Sequence, residues 1–200
     1  MRLVTPLRIA LAFLAALAAP ASAQLVNGSF EPSSAMGNYA ALPGGSTAIP
    51  GWVTTDTGVE WYKPAAFGDV AAPNGLYVVD LANYIFSAGG IQQTIPTVVG
   101  QAYVFQFFLG TNQQSGRDGT CEIVVSAAAQ SQTFTHVNHA TLTTWALQSF
   151  PFTATSTTTT LSLRCLQNAN LHFALVDGGE LLTPLSATPG TWGAIKRLYR

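Results

Sequence analysis

The chain has 200 residues, of which 48% are hydrophobic and only 8% are charged. Between residues 24 and 190 it has three basic and nine acidic side chains, a net charge of 3 − 9 = −6. A body without clustered Lys and Arg lacks the charges that displace phosphate counterions, which argues against nucleic acid as a partner. The 177 residues that follow position 23 suffice for one domain with its own hydrophobic core.

Residues 1–23 have the features of a secretory signal peptide. Arg2 and Arg8 precede a continuous apolar run, and Ala-Ser-Ala at positions 21–23 offers the small residues of a cleavage site. The apolar run is shorter than the roughly 18 residues that a membrane span requires. We therefore predict a secreted protein, extracellular, periplasmic or on the cell surface, without a transmembrane segment.

Period-two alternation of β-branched and aromatic residues runs through most of the chain after residue 57. Turn signals such as PNG, SAGG and SGRDG separate the alternating segments, and no convincing helix lies between them. Nine or ten strands with short turns predict an all-β fold, an antiparallel β-sandwich or jelly roll. The predicted strands are residues 58–63, 75–82, 90–96, 101–110, 120–127, 130–137, 144–153, 158–165 and 172–182.

Cys121 and Cys165 lie in two of these predicted strands. Two cysteines in an exported chain favour a disulfide, which would join neighbouring strands or strand ends. The alternative is a pair of buried free thiols. Either arrangement is structural, since no C-x-x-C spacing indicates redox chemistry.

Eight short features stand in a fixed order along the chain: LVNGSFE (25–31), IPGW (49–52), VEW (59–61), PNG (73–75), VDL (79–81), GGIQQT (89–94), GQAYVFQFFL (100–109) and Asn112. The ordered set resembles a family of secreted galactose-binding-like domains. That family includes plant cell-wall proteins of unknown function and bacterial surface proteins of the choice-of-anchor type. The resemblance implies a non-catalytic β-jelly roll of the carbohydrate-binding-module kind over residues 24–182.

The resemblance also implies a structural calcium ion near the two ends of the domain, where Glu31 and Asp177 occupy the matching positions. Calcium takes about six to eight oxygen ligands, so two carboxylates and nearby carbonyls would form part of a site. The chain departs from the family pattern because VDGG at 176–179 has one Asp in place of two. Alternatively, Glu31 accepts backbone N–H bonds or pairs with Arg164, and Asp177 is a turn residue.

Saccharides are recognised by aromatic rings that stack on a pyranose and by amide and carboxylate groups that bind its hydroxyls. Tyr62 stands where a predicted strand ends, and Tyr84 lies in a loop-like stretch. Trp52 and Trp61 are equally suited to the core. The predicted ligand-binding residues are Glu60, Trp61, Tyr62, Asn83, Tyr84 and Gln113.

Catalysis has little support in the sequence, because G-x-S-x-G, H-E-x-x-H, the P-loop and G-x-G-x-x-G do not occur. A glycosidase would need two facing carboxylates, for which Glu60, Asp80 and Glu122 are the candidates. We therefore predict a non-enzymatic module that contacts an extracellular or cell-envelope polysaccharide, with calcium as the one cofactor. The alternative is a structural, surface-displayed protein without a small ligand.

The last eighteen residues differ in composition from the rest of the chain. Residues 183–190 are rich in Pro, Ser and Thr, as in a linker, and residues 191–200 combine apolar side chains with Lys196, Arg197 and Arg200. We predict that residues 191–200 are recognised by a sorting or anchoring partner. Contact with a membrane surface and packing against the domain are the alternatives.

Overall fold

The computed structural model describes residues 24–83, 87–167 and 171–183. Within them the chain forms strands joined by turns, and the predicted all-β sandwich is confirmed. The strands are β1 (Tyr39–Pro43), β2 (Val53–Asp56), β3 (Gly58–Tyr62), β4 (Val78–Asp80), β5 (Ala82–Asn83), β6 (Ser87–Pro96), β7 (Ala102–Thr111), β8 (Thr120–Ala127), β9 (Gln130–Val137), β10 (Thr144–Thr153), β11 (Thr158–Cys165) and β12 (Leu175–Leu182).

The strands form two antiparallel layers. Sheet A has the order β1-β3-β4-β12-β7-β10, and sheet B has the order β2-β6-β11-β8-β9, with the short β5 paired to β6. In sheet A, the last strand, β12, lies between β4 and β7. The two halves of sheet A are therefore joined through the last strand of the described residues.

The hydrophobic core lies between the two sheets, where large apolar side chains from both layers are almost completely buried. Period-two alternation directs Val59 and Trp61 of β3 into this core. Glu60 and Tyr62 of the same strand consequently face the outer side of sheet A. Burial of the inward-facing rings and aliphatic chains is the main term that stabilises the sandwich.

The predicted strand boundaries agree with the structure most closely in the second half of the chain, where β8 to β11 have the predicted limits. The predicted strand 75–82 is shorter, because residues 74–77 form a turn held by side chains described below. Strands β1 and β2 were not predicted. In the described part of the chain the only helical segments are two 3-10 turns, Pro64–Phe67 and Gln114–Gly116, and no helix there has the length and apolar character needed to cross a membrane.

The segment 25–31 is hydrogen-bonded to the sandwich without being a strand of either sheet. The side-chain amide of Gln93 accepts from Val26 N (2.7 Å) and donates to Val26 O (2.8 Å), as a neighbouring strand would. The indole of Trp61 donates to Phe30 O at 2.7 Å. These bonds satisfy polar groups that packing against the core would otherwise leave without partners.

Gly28 and Gly179 bring the start of the domain against its last strand. Gly179 N donates to Gly28 O at 2.8 Å. A Cβ added to Gly28 would lie 1.8 Å from Gly179 O, so this approach of two backbones requires glycine. The resemblance-based expectation that the two ends of the domain meet thus agrees with the structure.

Cys121 and Cys165 are both buried free thiols, so the predicted disulfide is not formed in the structure. The register explains the separation, because Cys165 of β11 lies opposite Ile123 of β8 and not opposite Cys121. Diagonal side chains on neighbouring strands are about 7–8 Å apart, beyond the reach of a disulfide without a backbone shift.

Three predictions concern residues outside the described ranges. They are the signal peptide at 1–23, the linker at 183–190 beyond its first residue, and the basic segment at 191–200. These remain predictions from the sequence.

Candidate functional site

A cleft of about 440 Å³ opens on the outer side of sheet A, at the edge formed by β1 and β3. Its base comes from these two strands, and its walls come from the 3-10 turn after β3, the loop after β7 and the segment that precedes β12. The lining residues are Tyr39, Glu60, Tyr62, Phe67, Gln114, Ser115, Arg117 and Phe173.

The floor of the cleft combines a carboxylate with two phenols. Tyr39 of β1 lies opposite Tyr62 of β3, and the hydroxyl of Tyr39 donates to Glu60 Oε1 at 2.9 Å. Glu60 is only 6% exposed, whereas Tyr39 is 45% exposed. The hydrogen bond orients the carboxylate within the cleft.

Phe67 forms an exposed aromatic wall. It ends the 3-10 turn Pro64–Phe67, which stops at Gly68 in the left-handed region (φ +78°). Edge-on contacts to Tyr39 and Tyr62, with ring centroids 6.3 and 5.7 Å away, hold the ring in place. Because Phe67 is 54% exposed, an apolar surface remains open to a ligand.

The opposite wall contains Arg117 and Phe173. The guanidinium carbon of Arg117 lies 4.1 Å from the centre of the Phe173 ring, a cation–π arrangement. Arg117 is 8% exposed, so its side chain is fixed by packing and does not extend into solvent. Phe173 also packs against the small apolar cluster of Tyr62, Val78 and Leu175.

Beneath the cleft, Asp80 of β4 lies directly opposite Glu60 of β3. Asp80 is fully buried, and its Oδ1 accepts backbone N–H groups from Ala82 (2.9 Å) and Ala174 (3.2 Å). Burial, and then the neighbouring Glu60 carboxylate, raise the pKa of Asp80 to about 8. Burial also holds the pKa of the Tyr62 phenol well above its usual value of 10.

Glu60 and Tyr62 are the predicted ligand-binding residues that the structure places in the cleft. Trp61 requires a correction: it is 2% exposed in the core, because alternation along β3 directs it to the face opposite its two neighbours. Gln113 adjoins the lining residue Gln114, but its amide donates to Asp118 O at 3.2 Å.

Two other predicted ligand-binding residues fall where the structure describes little or nothing. Asn83 belongs to β5, where it pairs with Ser87, and its side chain is not among those that the structure describes. Tyr84 lies entirely outside the described residues. Both remain predictions.

Six of the eight lining residues are absent from the set predicted from the sequence. Arg117 stands in SGRDG, which has the composition of a turn, and Phe173 belongs to the predicted strand 172–182. Phe67, in AAFGD, lay between predicted elements. An aromatic residue directly before a glycine, in a short segment between two predicted strands, is the signal in the sequence that points to Phe67.

Glu31 and Asp177 meet at a second place, the turn formed by residues 74–77. Glu31 Oε1 accepts the N–H groups of Leu76 (2.7 Å) and Tyr77 (2.9 Å). Asp177 Oδ2 accepts the N–H of Asn74 at 2.7 Å. The alternative in which Glu31 accepts backbone N–H bonds is therefore correct, whereas Arg164 pairs with Asp56 instead.

This pair fits a calcium site in part. Burial, with a smaller contribution from the Glu31 carboxylate, raises the pKa of Asp177 to about 7, and a cation would relieve the repulsion between two such carboxylates. An argument against a calcium site is that the carboxylates of Glu31 and Asp177 already accept backbone N–H bonds, and a cation cannot donate such bonds in their place. The described residues contain no cluster of three or more His, Cys, Asp or Glu side chains arranged to hold a metal.

Comparison with known protein families identifies a match that covers most of the domain. Residues 23–174 match the family described as "Protein of unknown function (DUF642)". Since the match covers more than half of the chain, the protein belongs to this family. A search of curated proteins finds no match.

Several solved structures are similar to the chain. They include TmCBM61 in complex with β-1,4-galactotriose (16% identity, 74% of this chain and 99% of that chain, TM-score 0.49). A family 35 carbohydrate binding module from Clostridium thermocellum is 10% identical over 74% of this chain and 99% of that chain, with a TM-score of 0.42. The arabinose-bound α-L-arabinofuranosidase MgGH51 is 13% identical over 81% of this chain and 26% of that chain, with a TM-score of 0.50. The last of these similarities supports a common fold.

Proposed function

We propose that this protein is a secreted, non-catalytic module that binds a polysaccharide of the cell envelope or the extracellular matrix. The observation that carries the proposal is the cleft on the outer side of sheet A, where the exposed ring of Phe67 stands beside the buried carboxylate of Glu60. These are the two kinds of group that a sugar unit requires.

The chemistry of the lining fits a pyranose. The axial C–H face of a sugar packs against an aromatic ring, and its hydroxyls donate to carboxylates or accept from phenols and guanidinium groups. Phe67 offers the ring, and Glu60 and Tyr39 offer an acceptor and a phenol that are already oriented by a mutual hydrogen bond. A cavity of 440 Å³ lies within the range of small-molecule sites and holds one or two sugar units.

The two terminal segments of the chain are consistent with a function outside the cell. A predicted signal peptide would export the protein, and a predicted sorting or anchoring partner for residues 191–200 would retain it at the surface. In that setting a cell-envelope or extracellular glycan is the ligand most accessible to the cleft.

The decisive experiment compares Phe67→Ala with Val99→Ala on a glycan array and in pull-down with insoluble polysaccharides. Both side chains are more than half exposed (54% and 60%), and Val99 lies in the turn between β6 and β7, away from the cleft. Both variants should melt close to the parent, since each loses little buried surface. Only Phe67→Ala should lose glycan binding, by at least about tenfold if stacking contributes its usual energy.

Failure of the parent to bind any glycan would reject the proposal. The structural, surface-displayed protein without a small ligand would then become the better interpretation. Glycan binding that is unchanged in Phe67→Ala would place the site elsewhere on the domain.

A further inference from the structure

Asp69, Asn112 and Thr143 form a polar junction at the end of the β7–β10 pair. Asn112 directly follows β7 and Thr143 directly precedes β10, where Thr144 lies opposite Thr111. Both residues are almost completely buried. Two of the loops that form the walls of the cleft are bonded to this junction, so its hydrogen bonds fix how those walls stand on sheet A.

Asp69 connects the junction to the wall that carries Phe67. Its Oδ1 accepts the backbone N–H of Thr143 (2.8 Å), and its Oδ2 accepts the side-chain amide of Asn112 (2.9 Å) and the hydroxyl of Thr143. Asp69 stands two residues after Phe67, and its own N–H donates at 3.2 Å to the carbonyl of Pro64, the first residue of the same 3-10 turn. The exposed ring of Phe67 is therefore tied to the sheet through one carboxylate.

Asn112 connects the junction to the opposite wall. Its Oδ1 accepts the N–H of Gln114 at 2.9 Å, and Gln114 O accepts the N–H of Arg117 at 3.2 Å. Between them, Ser115 has a φ of +54°, a left-handed conformation that a residue other than glycine keeps only where its surroundings hold it. These three residues line the cleft. One amide group thus bonds to both walls, through Nδ2 to Asp69 and through Oδ1 to Gln114.

The amide of Asn112 has a partner for each of its polar groups. Its Nδ2 also donates to the Thr143 hydroxyl at 2.7 Å, so both N–H groups and the oxygen are bonded. Because Asn112 is 1% exposed, water cannot replace a broken bond, and a buried polar group without a partner is costly. The junction therefore resists movement of one wall relative to the other.

We propose that Asn112 and Asp69 are positioning residues that hold the two walls of the cleft at a fixed separation, so that Phe67 and the turn at 114–117 are placed for a saccharide before it binds. This inference rests on the proposed saccharide-binding function and adds residues on which its affinity depends. Preorganised groups bind more tightly because they lose less conformational freedom on binding. Neither residue is among those that line the cleft, so each acts through the residues it holds.

The test exchanges the two groups of the junction. In Asp69→Asn, either orientation of the new amide sets an N–H group against the amide of Asn112 or against the N–H of Thr143. In Asn112→Asp, two carboxylates face each other. The double variant restores the bond, because the amide at position 69 donates to the carboxylate at position 112. That carboxylate still accepts from Gln114 and now accepts the Thr143 hydroxyl.

Thr97→Val is the matched control for a general loss of stability. Thr97 is 6% exposed, and its hydroxyl bonds to Ser156 O and to the Thr159 hydroxyl, both at 2.9 Å. It lies in the turn between β6 and β7, at the opposite end of β7 from Asn112. The substitution should lower the melting temperature about as much as the single variants do, without affecting the cleft.

Amide hydrogen exchange of the protein without ligand measures the positioning itself. Peptides that cover residues 64–70 should exchange at least about tenfold faster in Asp69→Asn and in Asn112→Asp, and return towards the parent rate in the double variant. Asn112→Ala removes both links, so it should also accelerate exchange in peptides that cover residues 113–117. Thr97→Val should leave both regions at the parent rate.

Calorimetric titration with cello-, xylo- and galacto-oligosaccharides measures the effect on affinity. Each single variant should bind at least about tenfold more weakly than the parent, because the walls lose their fixed separation. The double variant should recover to within about threefold of the parent, since the two substitutions compensate each other in direct contact. Thr97→Val should bind as the parent does.

The outcomes separate the two proposals. Exchange or affinity that is unchanged in both single variants would overturn the positioning role and leave the binding function. A loss of affinity that the double variant does not recover, or that Thr97→Val shares, would reduce the role to general stability. A parent that binds none of these oligosaccharides and nothing on the glycan array would reject the binding function, and the positioning role with it.

Discussion

Gly75 and Glu31 are in such close contact that a Cβ added to Gly75 would lie 2.3 Å from Glu31 Oε1. Gly75 also has a φ of +89°, in the left-handed region. The turn at 74–77 can therefore wrap around the Glu31 carboxylate only with glycine at this position. This contact joins the beginning of the domain to the loop that precedes β4.

We expect Gly75→Ala to destabilise the protein more than Gly45→Ala does. Gly45 has a similar φ of +85° and open space around it, so its replacement measures the backbone strain alone. Gly75→Ala adds the displacement of Glu31 from two N–H groups, which should bring the total to roughly 2–4 kcal/mol. Urea denaturation measures the free energy of unfolding of both variants. An equal loss of stability in the two would show that the contact between Gly75 and Glu31 contributes nothing to stability.

Calcium should raise the melting temperature of the parent and not of Glu31→Gln. The buried carboxylate of Asp177 and the neighbouring, half-buried carboxylate of Glu31 favour a cation, and an ion present at 100 times its Kd stabilises by about 2.7 kcal/mol. Gln retains an oxygen for the two N–H bonds, so the variant should fold. Calorimetric melting with calcium and with chelator is the measurement. A parent indifferent to both would show that backbone N–H groups fully satisfy Glu31.

Stability should fall with rising pH because of Asp80. Its pKa in the folded protein, about 8, is above the value of about 3.9 expected on unfolding, so the folded state binds the proton more tightly. The resulting stabilisation is complete below about pH 4 and is lost as the pH rises to about 8. Asp80→Asn removes this dependence.

The measurement is denaturant unfolding of the parent and Asp80→Asn between about pH 5 and pH 9. The free energy of unfolding of the variant, relative to that of the parent, should rise by a few kcal/mol over that pH interval. Stability curves that run parallel would mean that Asp80 has an ordinary pKa in the folded protein.

The two thiols should react only after unfolding. Burial raises the pKa of Cys121 to about 12 and that of Cys165 to about 11, so neither forms a reactive thiolate near neutral pH. Titration of unreduced protein with a thiol reagent should detect none in the native state and two in denaturant. If no thiol reacts even in denaturant, the two cysteines are joined by a disulfide, and its formation requires a shift of β8 against β11.

Most strands were predictable because they lie on a sheet with one buried face. In β8 and β11 buried and more exposed residues alternate strictly, and the period-two pattern identifies both their limits and their inward side. Strand β3 is different, since all five of its residues are buried. Without contrast between its faces, the sequence could not assign Trp61 to the core and Tyr62 to the cleft.

The cleft was predictable only where it coincides with a strand. Glu60 and Tyr62 belong to β3, but Phe67, Arg117 and Phe173 come from loops far apart in the chain. Their proximity depends on how those loops pack over the outer face of sheet A. No local pattern encodes that arrangement, whereas the meeting of Glu31 and Asp177 followed from the resemblance alone.

The central place of β12 has a consequence for synthesis. A ribosome produces β1, β3, β4, β7 and β10 long before Leu175–Leu182, yet β4 and β7 have no strand between them until this last segment arrives. During translation sheet A can exist only as two separate ribbons with open inner edges. Sheet A can therefore be completed only after Leu175–Leu182 has been released from the ribosome.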